Sequence, residues 1–304
     1  MSLASWNEGV ARNGILDYLA RITEDGGPDH VPVADRVAVF DNDGTLWCER
    51  PAYVQAFFIL ERLKEQASAD SELAERDVVR ALLAGDLEGA LQKGTAEVMQ
   101  VLLDTHAGLT TEEFDAAVER WIEGFRHPRF GTPVTDLVYA PMIELLDLLR
   151  AHKFRVFIVT GGGVDFTRVV GSRLYGVEAD DVVGSAVEVS FERRDGEVVL
   201  MRTAALAGSP NEGPPKVTNI HARIGQRPIV AVGNTVGDTE MLEFAHTGQL
   251  PSLCIVLNHD DAEREYAYDG TAITNPNAEP ILSTAERSGW TVVSMRDDWS
   301  RVFE

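Results

Sequence analysis

Apolar residues recur along this chain in two rhythms, and the change between them divides it. Ile15, Leu16, Leu19 and Ile22 fall at three- and four-residue steps, which predicts a helix over about residues 5–23. Val37-Ala38-Val39-Phe40 is an unbroken apolar run that stops at Asp41, the pattern of a strand buried on both faces. From about residue 51 to 126 the helical step holds throughout, through Phe57, Phe58, Leu60, Val78, Val79, Leu82, Val98, Val101, Leu102, Phe114, Val118, Trp121 and Ile122. The loop His127-Pro128-Arg129-Phe130-Gly131-Thr132-Pro133 closes that stretch. Helix and strand then alternate. A helix through Ile143, Leu145, Leu146, Leu148 and Leu149 precedes the strand Val156-Phe157-Ile158-Val159, and a helix over about 165–175 follows. Val187, Val189 and Phe191 on one side and Val198 and Leu200 on the other flank Asp195-Gly196, which signals a hairpin. Ile229-Val230-Ala231-Val232 and Leu253-Cys254-Ile255-Val256-Leu257 are further strands around a helix at 239–246, and Trp290-Thr291-Val292-Val293 is a late one.

Strands alternating with helices predict an α/β fold: a Rossmann-like, open, mostly parallel sheet flanked by helices. The helical block inserted after the first strand reads as a cap. The expected division is a core over residues 1–50 and 131–304 and an α-helical cap over 51–130. A length of 304 residues suits two domains.

The charge narrows the partners. Lys and Arg total 27 against 49 Asp and Glu, a net charge of −22. Such a surface repels phosphate backbones and anionic lipid, so neither a nucleic acid nor a membrane surface is expected as partner. An anionic ligand would need a local positive field at its site. No apolar run approaches the ~18–20 residues of a membrane span. Glu8, Arg12 and Asp17 interrupt any signal-like stretch. Cys48 and Cys254 are too few for a disulfide framework. A cytoplasmic protein is the expectation.

In open α/β sheets ligands bind beyond the carboxyl ends of the strands. The first strand ends in Asp41-Asn42-Asp43-Gly44-Thr45, the second in Thr160-Gly161-Gly162-Gly163, and the third in Gly233-Asn234-Thr235-Val236-Gly237-Asp238. In extended chain Asp41 and Asp43 point to one side. Unpaired they repel, and a hard cation such as Mg²⁺ would satisfy both. Equally, Asp, Asn and Gly are ordinary turn formers. Thr160 and the glycines offer a hydroxyl and N–H groups that suit an anion at a helix start. They lack the dinucleotide fingerprint, since position 166 is Phe. Lys216, Asn234 and Asp238 taken singly read as a surface lysine and helix caps.

Taken in order, these segments resemble the haloacid dehalogenase superfamily, in particular its phosphatases of the phosphoserine phosphatase type. The resemblance covers about 31–50 and 138–260, with the cap matched only by position and helical character. It implies an aspartyl-phosphate mechanism on a small phosphorylated metabolite. Asp41 would be the nucleophile and Asp43 the general acid–base. Thr160 and Lys216 would hold the phosphoryl group, with Gly161 and Gly162 beside it. Mg²⁺ would be held by Asp41, Asp43, Asn234 and Asp238.

The acid at Asp43 argues for phosphate against halide, because halide departs without a proton. One departure stands out: the fourth motif usually opens with Gly-Asp, and here it is Gly233-Asn234. That leaves a catalytically weak, ligand-binding or protein-binding member open, beside a phosphotransferase or phosphomutase. Glu49 lies one residue nearer the first motif than the glutamate that faces the substrate amine in phosphoserine phosphatases. It is either a substrate contact or a surface acid at a helix start. Arg120 and Arg126 meet a substrate carboxylate or are solvated, Trp47 and Tyr53 wall a pocket or pack, Asp165 starts a helix, and His259 reaches the rim or does not. The histidines show no zinc spacing, and no G-x-S-x-G is present. The oligomeric state is not legible.

Overall fold

The computed structural model describes residues 3–272, 275 and 277–304, with the side chains of Glu88 and Thr95 excepted. In chain order the elements are α1 (Val10–Thr23), β1 (Val37–Phe40), α2 (Val54–Ala69), α3 (Ser71–Glu75), α4 (Asp77–Leu83), α5 (Leu87–Lys93), α6 (Thr95–Asp104) and α7 (Thr111–Gly124). There follow α8 (Ala140–Ala151), β2 (Arg155–Gly163), α9 (Val164–Tyr175), β3 (Val182–Ser185), β4 (Val187–Arg194) and β5 (Glu197–Leu206). The chain ends through α10 (Pro214–Ile224), β6 (Val230–Gly233), α11 (Thr239–His246), β7 (Leu253–Asn258), α12 (Ile281–Ser288) and β8 (Thr291–Ser294). Among the described residues no helix is long and apolar enough to cross a membrane.

The chain forms two compact units. The first comprises Met1–Pro51, Arg126–Gly184 and Pro210–Glu304; the second comprises Ala52–Phe125 and Ser185–Ser209. In the first, six strands form one sheet in the order β3-β2-β1-β6-β7-β8. β1 pairs in parallel with β2 on one side and β6 on the other, and β7 and β8 continue the parallel pairing. This is the expected α/β architecture. Val37 and Val39 point to one face, where they meet Ile220 of α10, Met241 and Leu242 of α11, and Ile281 and Ala285 of α12. Ala38 and Phe40 are equally buried on the other face, as alternation along a strand requires. α1 packs on β8 and α8 on β2. Central strands covered on both faces lose their apolar surface to water entirely, which is why all four residues of β1 can be apolar.

The second unit departs from a purely helical cap. Its helices bury Leu63, Val78, Val79, Leu82, Val98 and Val101 together, and the antiparallel hairpin β4–β5 belongs to it. The expected division at residue 131 places this hairpin in the core, between core elements, whereas Ser185–Ser209 belongs to the second unit. In the fold, Arg202 N–H donates to the Leu109 carbonyl and Gly108 N–H to the Arg202 carbonyl, at 2.9 Å each. The Arg202 guanidinium lies 3.8 Å from the centre of the Phe114 ring. These bonds and the aromatic contact tie the hairpin to the segment that starts α7. Thr110 and Glu113 close that helix start with a capping box.

Candidate active site

The site lies at the carboxyl ends of β1, β2 and β6. Phe40 is in register with Ile158 on one side and Val232 on the other. Asp41 N–H extends the ladder by donating to the Val232 carbonyl at 2.9 Å. Lys216 stands in the first turn of α10, a helix opened by Pro214 and Pro215, whose fixed φ and missing N–H suit that position. Its ammonium is 2 % exposed and donates to Asp41 Oδ1 at 2.7 Å and to Asp238 Oδ1 at 2.6 Å. Residues from three distant segments therefore converge on one charge. Burial works against that charge, but the two carboxylates outweigh it and push the Lys216 pKa up.

Asp238 is fixed from both ends. Its Oδ2 accepts the backbone N–H groups of Asn234 and Thr235 at 3.0 and 3.1 Å. A side chain at Gly233 would place its Cβ 2.5 Å from the Asp238 Cβ, so this glycine is a matter of space. Asp43 accepts from the Trp47 indole N–H at 2.8 Å. Burial pushes the Asp43 carboxyl up, partly offset by hydrogen bonds from Trp47 and Asn42. Asp41 is also pushed up, by burial and then by Asp238, with Lys216 opposing.

Thr160 is fully buried at the end of β2, and its Oγ accepts the Gly162 N–H at 2.9 Å. Gly161, Gly162 and Gly163 complete β2 rather than forming a turn, and α9 starts directly after them at Val164. The expected cradle at a helix start is thus a strand end running straight into a helix. Asn211, which sequence reasoning passed over, donates to the Thr160 carbonyl at 2.9 Å and accepts from Asn219. No motif or spacing marks Asn211 in the sequence.

Asn234, the departure in the fourth motif, is fully buried. Its Oδ1 accepts from the Thr45 hydroxyl at 3.2 Å, and its Nδ2 donates to Glu49 Oε1 at 3.1 Å. Glu49 is 1 % exposed and lies before the helix that starts at Val54, so the surface helix-start reading is corrected. Burial pushes its carboxyl well up, while the Tyr268 hydroxyl and Arg50 oppose. Gly44, at φ +73°, is required here: a Cβ would stand 2.0 Å from Asn234 Nδ2. Trp47 is buried and donates to Asp43, more than simple packing. His259 is buried directly behind the first motif, its Nε2 2.8 Å from the Gly44 carbonyl. Asp165 starts α9 and pairs with Arg168 at 3.5 Å. Arg120 and Arg126 are exposed, and Tyr53 is half-buried.

A family model of haloacid dehalogenase-like hydrolases matches residues 38–243. The chain belongs to this family. Among solved structures, a protein from Anaerococcus prevotii DSM 20548 described as conserved and functionally unknown is similar with a TM-score of 0.56 at 14% identity, over 93% of this chain and 91% of that one. A protein of unknown function from Bordetella pertussis Tohama I has a TM-score of 0.50 at 18% identity, over 85% and 97%. A phosphoserine phosphohydrolase-like protein from Francisella tularensis subsp. tularensis SCHU S4 has a TM-score of 0.40 at 19% identity, over 73% and 87%. No curated protein matches the chain.

Proposed function

We propose that this hydrolase is a phosphomonoesterase that acts on a small phosphorylated metabolite through an aspartyl-phosphate on Asp41. The observation that carries this reading is the Lys216 ammonium bridging Asp41 and Asp238, with a second carboxylate, Asp43, two residues beyond the first. Phosphoryl transfer needs a nucleophile in line with the leaving oxygen and positive charge on the equatorial oxygens. A carboxylate oxygen of Asp41 attacks phosphorus while the ester P–O bond breaks. The departing alkoxide takes the proton of Asp43, whose raised pKa keeps that proton available. Asp43 then takes a proton from water, which attacks the phosphorus of the aspartyl-phosphate and releases phosphate. Lys216 and the Thr160 hydroxyl serve the phosphoryl oxygens.

A divalent cation fits this pocket. Asp41, Asp238 and Glu49 are buried and Asp43 half-buried; burial pushes the carboxyls of Asp41, Asp43 and Glu49 up, and neighbouring acids add to this at Asp41 and Glu49. Among the described residues no three His, Cys or acidic side chains form a cage for a metal. Mg²⁺ is held by one or two carboxylates with carbonyls and water completing its shell. Asp41, Asp238, the Asp43 carbonyl and the Asn234 side-chain oxygen would hold it. When bound, it supplies charge that shields the anionic nucleophile from the phosphate. Glu49 belongs to the frame of this site, since its carboxylate already accepts from Asn234.

The test is hydrolysis of p-nitrophenyl phosphate, with Mg²⁺ and with a chelator. Turnover should disappear with chelator, return with Mg²⁺, and be abolished by Asp41→Asn. Wild-type turnover in Asp41→Asn would refute the nucleophile.

A further inference from the structure

Behind the first motif lies a buried acid–imidazole pair that the proposed chemistry does not use. His259 follows β7 and is 2 % exposed; Glu265, on the next turn, is fully buried. The Glu265 carboxylate is surrounded by donors. Its Oε1 accepts from the Cys48 thiol at 3.0 Å and from the Tyr139 hydroxyl at 3.1 Å. Its Oε2 accepts from the Tyr266 N–H at 2.6 Å and lies 3.1 Å from His259 Nδ1. Burial works against its charge, but the bonds from His259, Cys48 and the Tyr266 N–H outweigh it and hold the Glu265 carboxyl below its usual range, so the acid is ionised and accepts from Nδ1. The other ring nitrogen, Nε2, faces the Gly44 carbonyl at 2.8 Å, and a carbonyl oxygen only accepts. Both ring nitrogens therefore face acceptors, a carboxylate on one side and a carbonyl on the other. Tyr268 stacks on its ring, with centroids 4.2 Å apart.

The place where this donor lands gives it meaning. Gly44 is the one position of the Asp41–Thr45 turn with left-handed backbone, and contact with Asn234 forbids any larger residue. Glycine supplies that conformation at the expense of rigidity. The structure restores rigidity with two bonds. Gly44 N–H donates to the Trp47 carbonyl at 2.8 Å, which fixes the peptide before it. His259 fixes the peptide after it. Trp47 also donates to the Asp43 carboxylate, so backbone and side chain of the acid are set from adjoining points.

We propose that His259, oriented by Glu265, is a positioning residue that clamps the Gly44 carbonyl and so holds Asp43 in line to protonate the leaving group. This rests on the phosphomonoesterase reading of the site. Removing a partner that orients a reacting group typically costs about 10–100-fold.

The full chain labelled with ¹⁵N-histidine tests the clamp itself, with the His259 signals assigned by their loss in His259→Gln. Both ring nitrogens of His259 should be protonated at neutral pH; an unprotonated Nε2 overturns the proposal. Kinetics test its consequence. Folded His259→Ala should lose about 10–100-fold in kcat on an alkyl phosphate, whose leaving group needs a proton. It should lose clearly less on p-nitrophenyl phosphate, and KM should change less than about threefold, because substrate binding is untouched. His259→Gln, whose amide still donates, should recover part of the alkyl phosphate rate. Wild-type rates in His259→Ala, or equal losses on both esters, overturn the proposal. If the wild-type chain hydrolyses neither ester, the phosphatase reading fails while the nitrogen spectrum still decides the clamp.

Discussion

At the scale of single residues, Asn234 and Glu49 explain each other. An amide at position 234 offers a donor to Glu49 and an acceptor to Thr45, so both buried side chains are satisfied. Asn234→Asp would set one buried carboxylate against another. It should cost about 1–3 kcal/mol in a denaturant melt, and adding Glu49→Gln should return most of that by exchanging donor and acceptor. Additive losses in the double variant would show that the two do not interact. Asp43 makes a second expectation. Its raised pKa keeps it protonated to higher pH than an ordinary Asp, and that proton is lost as pH rises through the raised value. For a poor leaving group, kcat should therefore fall on the alkaline side, and Asp43→Asn should remove that limb of the profile together with most of the rate. Asp41 and Asp43 stood out by their close spacing at a strand end, whereas Thr160, Lys216 and Asp238 became candidates only through the order of the segments and the family they resemble. Asn211, Glu265 and the role of Trp47 were not legible. Each acts through one hydrogen bond to a partner far along the chain, and only folding brings those atoms together.

At the scale of elements, the aromatic group in the second unit carries a titratable member. His106, after α6, stacks on Phe58 with centroids 5.1 Å apart and meets the Phe114 ring edge-on at 5.2 Å. Burial, with Arg62 and Arg202 nearby, pushes its pKa down to about 3 from 6.5. The unfolded chain binds that proton near pH 6.5 and the folded unit only near 3. Stability is therefore lost as pH falls across that window, by about 2 kcal/mol at pH 5. His106→Phe keeps the stacking and removes the proton site. Its stability relative to wild type should rise by that amount between pH 7 and pH 5 in denaturant melts; parallel curves would assign the acid sensitivity elsewhere. Periodicity marked β1, β2, β6, β7, the hairpin and α11 closely. It missed β3 and α12. β3 has only Val182 and Val183 as apolar residues at an edge of the sheet, and α12 presents two buried residues over barely two turns. Short elements with few apolar positions leave too little pattern to read.

At the scale of the whole molecule, a net charge of −22 surrounds a site that we propose to take a phosphate dianion. The overall field repels such a substrate, while Lys216 acts only at close range. Raising ionic strength from about 10 mM to about 150 mM shortens the reach of that repulsion from ~30 Å to ~8 Å. The value of kcat/KM should then rise severalfold with salt, whereas kcat should stay nearly level; a fall in kcat/KM would mean that local attraction governs encounter. The layout of the sheet has a separate consequence. β2, β1 and β6 are immediate neighbours, and each delivers part of the reactive set from its end. Adjacent strands stand about 4.8 Å apart, a distance set by backbone hydrogen bonds and not by side chains. The sheet thus acts as a ruler whose gradations no mutation can move. Substitutions elsewhere in the chain can retune the charge and shape around these strand ends, while the distances on which bond-making depends stay as they are.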